Sequence, residues 1–447
     1  MIYNEFKELV VKYAKIAGLE QYELYYTNEE ELTISTINDE VGKYTTTIAG
    51  GVCFRCIVND KMGYASTELL NEEMAKLIVN KAIDNASTIE SDDKVFINDG
   101  KDEYKEISKS TGINYTSDDY KNNLLKNYSL LKDKCEDVKL VEALALKSKV
   151  VVNICNSNGL DLSSERESCV TYTNTVVKGN DGDESGSKID VSTKQDLDFE
   201  KNALASLEDA KSMLGATIPD TGVYDLVIGN VAMRSLLSAF NSIFKASSVQ
   251  RGLSFLKGKM GEQIASEVVT IVDDPFCELS KVQASFDAEG CATKYKEVIK
   301  NGKLETFLYN MTTAQKDGVK TTGNASKASY DANVVTMPYS FYIKPSDINE
   351  EELLKDVDNG IYIKDVGGLH AGANVITGDF SLISTGFIIE NGKKTTPIKP
   401  FTISGNFYEL LKKIEKVADN LEFSMPVNTT AYGSPSVLVR EISVAGK

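Results

Sequence analysis

In the first part of the chain, segments whose apolar residues have helical spacing alternate with segments whose apolar residues have strand spacing. Residues 2–17 place their apolar side chains on one helical face, and a second helix is predicted over 71–86 with Asn71 as its N-cap. Strands are predicted between these helices at 23–27, 32–37, 43–49, 51–59 and 64–67. The charged stretch 92–110 lacks either spacing, so we predict a connector there.

The same order of elements then occurs a second time. Ser117-Asp118-Asp119 is predicted to cap a helix that runs to about Lys134, and strands at 140–146, 148–153, 168–177 and 188–193 and a helix over 199–214 follow it. Two successive units of helix, antiparallel strands and helix predict an internally duplicated N-terminal α+β domain, which we assign to residues 1–218.

Strand patterns dominate beyond Pro219. Helices are predicted only over 230–245 and 407–421, whereas strands are predicted at 224–228, 267–272, 293–299, 304–309, 334–337, 360–366, 380–390, 395–404 and 436–444. Asn301-Gly302 and Asn391-Gly392 are strong hairpin turns. We therefore predict an α+β fold in which the duplicated domain is followed by a β-rich, sandwich-like or barrel-like domain at 219–447.

Composition narrows the class of partners. The net charge is −17, and we find no run of Lys and Arg, so direct binding of nucleic acid is not expected. The seven cysteines are scattered and odd in number, as in reduced intracellular proteins. The first 18 residues have a helical pattern with two acids, unlike a signal peptide, and no apolar run has membrane-spanning length. We expect a cytoplasmic protein without a membrane partner.

The stretch 367–381 is the most informative part of the sequence. It contains four glycines and the single histidine of the chain, and the strand and hairpin at 385–404 follow it. Its polar residues form a candidate contact loop for a peptide or a partner, and we list them as His370, Asn374, Thr377, Asp379 and Ser381. His370 and Asp379 are candidates to pair, and Asn374 to bond an incoming strand. The alternative is a tight surface turn in which Asn374 and Asp379 cap local amides.

This stretch resembles the TldD/PmbA family. The match is Gly368-Leu369-His370-Ala371-Gly372-Ala373-Asn374, then Thr377-Gly378-Asp379-Phe380-Ser381 and 386–393, and five further motifs occur in the family's order at 63–67, 156–159, 273–275, 286–290 and 322–325. Within the family the chain is similar to the PmbA branch, also called TldE. That branch is described as a modulator of DNA gyrase and as a partner subunit of a cytosolic metallopeptidase.

The resemblance also implies where a metal would be bound. The metal-bearing branch carries a His-Glu-x-x-x-His helix and a late cysteine, which bind zinc. The corresponding helix at 230–245 contains no His and no acid, and no cysteine follows Cys291. We therefore assign no catalytic residue and no metal ligand to this chain, and expect zinc in a TldD-like partner.

The sequence gives weaker evidence for any other kind of chemical site. The thiols of Cys53 and Cys56 would point to opposite faces of a strand, so a shared metal ion is disfavoured. The acids Asp273, Asp274, Asp287 and Glu289 could hold Ca²⁺ or Mg²⁺, but a solvated acidic turn is the favoured interpretation. No Gly-x-Ser-x-Gly elbow and no phosphate-binding loop is present.

Two functions follow as hypotheses. The first is a PmbA/TldE-like subunit that pairs with a TldD-like metal-bearing chain and completes a cavity for unfolded or extended peptides, with dimer contacts mainly beyond Pro219. The alternative is a stand-alone homodimeric hydrolase, or an interaction protein of the gyrase-modulator type.

Overall fold

The computed structural model describes residues 1–90, 93–108, 110 and 112–447. The N-terminal elements are α1 (Tyr3–Ile16), β1 (Tyr22–Ile37), β2 (Glu40–Val58), β3 (Lys61–Thr67), α2 (Glu72–Ala86), α3 (Ser117–Lys134), β4 (Val138–Asn156), β5 (Asp161–Val177), β6 (Glu184–Ser192) and α4 (Phe199–Ser212). The predicted connector at 92–110 has neither helix nor strand over 93–108, while positions 92 and 109 lie outside the described residues.

The six N-terminal strands form one antiparallel sheet in the order β3-β2-β1-β4-β5-β6. The unit α1-β1-β2-β3-α2 is followed by the unit α3-β4-β5-β6-α4, and the two units meet where β1 pairs with β4. This arrangement confirms the predicted internal duplication.

The central strands are longer than predicted. The segments 23–27 and 32–37 belong to the single strand β1, although the polar run 28–31 separates their apolar residues. This run stays extended because it pairs with β2 on one side and with β4 on the other. The ladder hydrogen bonds therefore decide the conformation where the apolar alternation fails.

Local capping fixes the helix starts. The side chain of Asn71 accepts a bond of 2.9 Å from the amide of Met74, as predicted. The second unit starts one residue earlier than expected, because Thr116 is the N-cap of α3 and forms a capping box with Asp119.

The C-terminal elements alternate short helices with strands. They are β7 (Gly222–Ile228), α5 (Asn230–Phe240), the 3₁₀ turn Asn241–Phe244, α6 (Ala246–Gln250), β8 (Ile271–Asp273), β9 (Lys296–Lys300), β10 (Lys303–Leu304), α7 (Met311–Asp317), β11 (Ala325–Ser326), β12 (Val335–Thr336), β13 (Ser340–Ile343), α8 (Glu350–Lys355), β14 (Asn359–Gly367), α9 (Leu369–Gly372), β15 (Asp379–Glu390), β16 (Lys393–Asn406), α10 (Phe407–Lys413), β17 (Ile414–Val417), β18 (Glu422–Phe423), β19 (Ala431–Ser434) and β20 (Val437–Ala445).

Five of these strands close a barrel. The order β16-β15-β14-β7-β20 returns to its start because Thr402–Ser404 of β16 also pairs with β20. A second sheet has the order β10-β9-β8-β13-β19-β18, and α5 packs between the barrel strand β14 and strand β19 of this sheet. The fold is thus α+β with a barrel-like C-terminal region, as predicted.

Both predicted C-terminal helices are shorter than expected. α5 ends at Phe240 and continues as a 3₁₀ turn, which brings Phe244 against Phe341 with ring centroids 5.6 Å apart. α10 ends at Lys413, since Ile414 is extended and starts a strand that pairs with β20. Tertiary packing overrides the helical pattern at both ends.

Within the part of the chain that the structure describes, no strand of the N-terminal sheet joins the C-terminal sheets, and the division at residue 218 stays a prediction. Among the described residues, no helix is both long enough and apolar enough to cross a bilayer.

Candidate functional site

The helix α5 occupies the position that the sequence comparison assigns to a metal-ligand helix. It begins after β7 at Gly229, where a Cβ atom would lie 2.5 Å from the hydroxyl of Tyr362, so only glycine fits. Its apolar face is fully buried in the main C-terminal core, with Leu236 and Phe240 at its centre. Its other face is half-buried and polar, and this face is the floor of the candidate site.

The polar face of α5 is tied to the strands beside it. The guanidinium of Arg234 donates to the carbonyl of Phe423 at 2.7 Å and lies 3.2 Å from the carboxylate of Glu422. The amide of Asn230 also donates to Glu422, at 3.3 Å. Lys188 of the N-terminal sheet lies 3.5 Å from the same carboxylate, so this network joins the two halves of the chain.

Zinc does not fit this face. The side chains that α5 presents include an amide and a guanidinium but no imidazole, thiolate or carboxylate, and Arg234 adds a positive charge where a cation would be bound. Strand β19, which packs on α5, also has no cysteine. Across the described ranges, no group of three or more His, Cys, Asp and Glu side chains is arranged to hold a metal ion.

The loop with the single histidine lies against the same helix. His370 is in the one-turn helix α9, which packs on α5, and its neighbours Leu369 and Ala373 rest on the core that α5 fills. The structure therefore brings together the Gly-rich loop and the helix α5, which are more than 120 residues apart in sequence. We call the outer side of α5 together with residues 367–379 the α5 face.

The hydrogen-bond partner of Asp379 within the loop differs from the one expected. Asp379 accepts a hydrogen bond of 2.8 Å from the side chain of Asn406, not from His370, and this bond lowers the pKa of Asp379. The predicted pairing of His370 with Asp379 is therefore wrong. Asn406 is preferred because β15 and β16 are paired at this position, which places Asp379 directly opposite Asn406.

Asn374 also bonds locally. Its side-chain oxygen accepts from the amides of Ile376 at 3.0 Å and Thr377 at 3.2 Å, so this oxygen shapes the turn, and a bond from Asn374 to an incoming strand stays a prediction. Ser381 lies farther along β15, where its hydroxyl accepts from Ser404 at 3.3 Å. The hydroxyl of Thr377 accepts from the amide of Asp379 at 3.3 Å, so among the described residues His370 is the one candidate of the five whose side chain makes no hydrogen bond within the loop or the barrel.

Asp273, Asp287 and Glu289 are buried, which corrects the expectation of a solvated turn, whereas Asp274 is half-buried. Asp273 is fully buried and pairs with Lys296 at 2.8 Å and with the amide of Asn324 at 2.7 Å. Asp287 accepts three backbone amides, and burial followed by the charge of Glu289 raises its pKa to about 8. These carboxylates hold loops in place by accepting backbone and side-chain donors.

A second charged cluster was not predicted from the sequence. Glu23 and Arg55 are opposite each other on β1 and β2 and form a buried ion pair of 2.8 Å. Residues 288 and 327 of the C-terminal half cover this pair. Burial opposes the charge of Arg55, but Glu23 and Glu289 hold its pKa above the ordinary value. Glu23 and Arg55 are charged residues within otherwise apolar strand segments. This interruption is the feature of the sequence from which the buried ion pair could have been predicted.

The Cys-x-x-Cys motif has no shared site. Cys56 packs in the helix-side core of the N-terminal sheet, whereas Cys53 lies on the other face beside Lys327. This confirms the prediction from strand geometry.

Comparison with known proteins identifies the family. Residues 221–446 match the sequence profile described as the PmbA/TldA metallopeptidase C-terminal domain, and residues 22–87 match domain 1 of the same metallopeptidase. The chain belongs to the PmbA/TldD family.

Three relatives place the chain more closely. An uncharacterized protein of Methanocaldococcus jannaschii is 30% identical over 91% of this chain and 93% of its own length. A solved structure from Thermotoga maritima, described as a proposed modulator of a DNA gyrase, has a TM-score of 0.90 at 30% identity and covers 99% of this chain and 100% of that chain. TldE from Thermococcus kodakarensis shares the fold, with a TM-score of 0.89 at 22% identity over 98% and 99% of the two chains.

Proposed function

We propose that this protein is the PmbA/TldE-like subunit of a cytosolic TldD/PmbA-type metallopeptidase. It pairs with a related, metal-bearing chain and completes a cavity that receives unfolded or extended peptides. The observation that carries this proposal is α5: this helix contains no histidine and no acid, and its polar side chains Asn230 and Arg234 bind the neighbouring strand. No catalytic step is assigned to this chain.

The α5 face supports a role in peptide handling. Exposed Val375 and Ile376 stand at the tip of a turn that Asn374 fixes, so apolar contacts are presented on a rigid support. His370 is in α9, which packs on α5 and directly precedes this turn in the sequence. Apolar groups with few directional polar groups suit a substrate that is recognised by its extended form and not by its sequence.

Metal content and activity test the proposal. The purified chain should carry no stoichiometric zinc and cleave no unfolded peptide, whereas mixing it with the related chain that bears the His-Glu-x-x-x-His helix should give a zinc-dependent peptidase. Elemental analysis and cleavage of a fluorogenic unstructured peptide, each done on both chains separately and together, provide the readouts. One tightly bound zinc per chain, with activity lost on chelation, would refute it.

An interaction protein of the gyrase-modulator type is the second candidate. Similarity to the Thermotoga maritima structure favours it, because that protein is described in these terms. The net charge of −17 argues that such an effect would act through a protein and not through DNA. Direct binding of purified gyrase, measured with and without DNA, distinguishes this function from the first.

A further inference from the structure

A buried aspartate, lysine and asparagine meet in the second C-terminal sheet. Asp273 ends β8 and is paired with Lys296 of β9, and its carboxylate oxygen Oδ2 lies 2.8 Å from the amine of Lys296. The same oxygen accepts a hydrogen bond of 2.7 Å from the side-chain amide of Asn324. One carboxylate oxygen therefore contacts both an amine and a carboxamide. We call Asp273, Lys296 and Asn324 the Asp273 triad.

The Asp273 triad is shielded from water. Asp273 and Asn324 are fully buried, and the side chain of Lys296 is only 9% exposed. Phe341, the partner of Asp273 on β13, is also fully buried, and the amide of Tyr339 donates to the second carboxylate oxygen at 2.7 Å. A proton that passes from the amine to the carboxylate removes two buried charges, and it leaves Lys296 as a neutral amine, which is the nucleophilic form.

The carboxamide of Asn324 is held in one orientation. Its carbonyl oxygen accepts a hydrogen bond of 2.7 Å from the hydroxyl of Thr322, and its nitrogen donates to Asp273 and, at 3.0 Å, to the carbonyl of Met337. A donor on the carbonyl oxygen stabilises the negative charge that develops there when a nucleophile adds to the carbon. The nitrogen, which would leave, faces the carboxyl group that has received the proton.

We propose that the Asp273 triad forms an intramolecular isopeptide bond between Lys296 and Asn324. The amine of Lys296 attacks the side-chain carbonyl carbon of Asn324, so that a new C–N bond forms and the bond from this carbon to the amide nitrogen breaks. Asp273 takes a proton from the attacking amine and gives it to the leaving nitrogen. The products are a secondary amide and one molecule of ammonia, and the reaction consumes no oxidant and no other molecule.

The bond ties β9 to the segment that leads into β11. It closes a covalent loop over residues 296–324, which restricts the unfolded chain in the way that a disulfide does. The two segments therefore stay joined in denaturant and under reducing conditions. The inference does not depend on which peptide or metal-bearing chain the protein serves.

Mass spectrometry of the purified full chain tests the proposal. The bond should lower the intact mass by that of one ammonia molecule. Trypsin does not cleave after an acylated lysine, so the digest should contain a branched peptide that joins residues 295–300 to residues 321–327. Fragmentation of this peptide should place the link between Lys296 and Asn324.

Three variants separate the reaction from the fold. Lys296→Arg keeps a cation beside Asp273 but removes the nucleophilic amine, and Asp273→Asn keeps the size of the side chain but removes the proton carrier, so both should keep the mass of the unlinked chain. Lys300→Arg is the matched control, because this lysine lies on the same strand with a side chain that is 57% exposed, and it should be linked like the wild type. Far-UV circular dichroism verifies that each variant is folded.

Several results would overturn the proposal. They are a wild-type chain with the unlinked mass, separate recovery of the peptides that carry Lys296 and Asn324, and a link that persists in folded Lys296→Arg or Asp273→Asn. A loss of ammonia that fragmentation assigns to the Asn-Gly step at 301–302 would also contradict it, because succinimide formation there gives the same change in mass.

Discussion

Arg55 and Glu23 lie opposite each other on adjacent strands and form an ion pair of 2.8 Å that is almost fully buried. The side chains are 7% and 2% exposed, and Glu289 of the C-terminal half adds a second carboxylate near the same guanidinium. The guanidinium of Arg55 thus faces two acids at the contact between the N-terminal sheet and the rest of the chain, where the amine of Lys327 also lies.

Replacing Arg55 should destabilise the folded protein more than replacing Glu23. Arg55→Met removes the guanidinium that lies against Glu23 and near Glu289 and leaves the amine of Lys327 as the remaining cation beside Glu23, and we expect a loss of about 3–5 kcal/mol in the free energy of unfolding. Glu23→Gln leaves Arg55 with Glu289 and should cost less. Urea unfolding at neutral pH measures both. An equal or larger loss for Glu23→Gln would show that Glu289 does not act as a counter-ion.

Replacing Gly378 should destabilise the candidate loop. Its φ is +86°, and an added Cβ would lie 2.5 Å from the ring of Tyr408, so Gly378→Ala combines backbone strain with a clash and should cost about 1–3 kcal/mol. Gly367→Ala is the matched control in the same region, since its nearest neighbour would be 3.8 Å away at an ordinary φ. Thermal unfolding of the two variants should differ clearly; similar melting temperatures would contradict the tight packing on Tyr408.

Lys245 should make stability rise with pH in the alkaline range. Burial lowers its pKa from 10.5 to about 8, and its amine contacts the sulfur of Met337. Between pH 8 and 10.5 the unfolded chain binds the proton that the folded chain has lost, so this residue's contribution to stability increases with pH there.

The variant Lys245→Met tests this dependence. It should be more stable than the wild type at pH 7, and the difference should shrink as the pH approaches 10.5. Lys76→Met, at an exposed position, should leave the pH profile of the unfolding free energy unchanged. A Lys245→Met variant whose advantage is constant from pH 7 to 10.5 would rule out the titration of this amine.

Asp379→Ala should act on stability. The carboxylate holds the side chain of Asn406, which also caps α10 through the amides of Tyr408 and Glu409. We expect a loss of about 0.5–2 kcal/mol, as for a removed cap, with unchanged activity per folded complex. Chemical denaturation combined with an assay of the assembled peptidase separates the two effects.

His370→Ala should act on function. The side chain lies on α9 beside α5 and does not pair with Asp379, so its removal should leave the melting temperature unchanged. Under the proposed function, peptide cleavage by the assembled complex should fall at least tenfold. Retained activity together with a lowered melting temperature would assign His370 to the scaffold instead.

Local signals in the sequence determined much of the architecture. The helical and strand spacing predicted the duplicated N-terminal unit, the caps near Asn71 and Ser117, and the β-rich C-terminal half. The turn at Asn391-Gly392 and the opposite faces of Cys53 and Cys56 also followed from local geometry. The family could be identified because its motifs are contiguous or follow one another in a fixed order.

Tertiary structure alone decided which distant residues meet. Strand pairing placed Asp379 opposite Asn406 and so denied it to His370, and sheet order placed Glu23 beside Arg55. The acids at 273, 287 and 289 look solvated in sequence, but segments 22 to 51 residues farther along the chain supply donors to them. Sequence periodicity reports which face of an element is apolar, whereas burial of a charge depends on partners that only the folded chain brings within hydrogen-bonding distance.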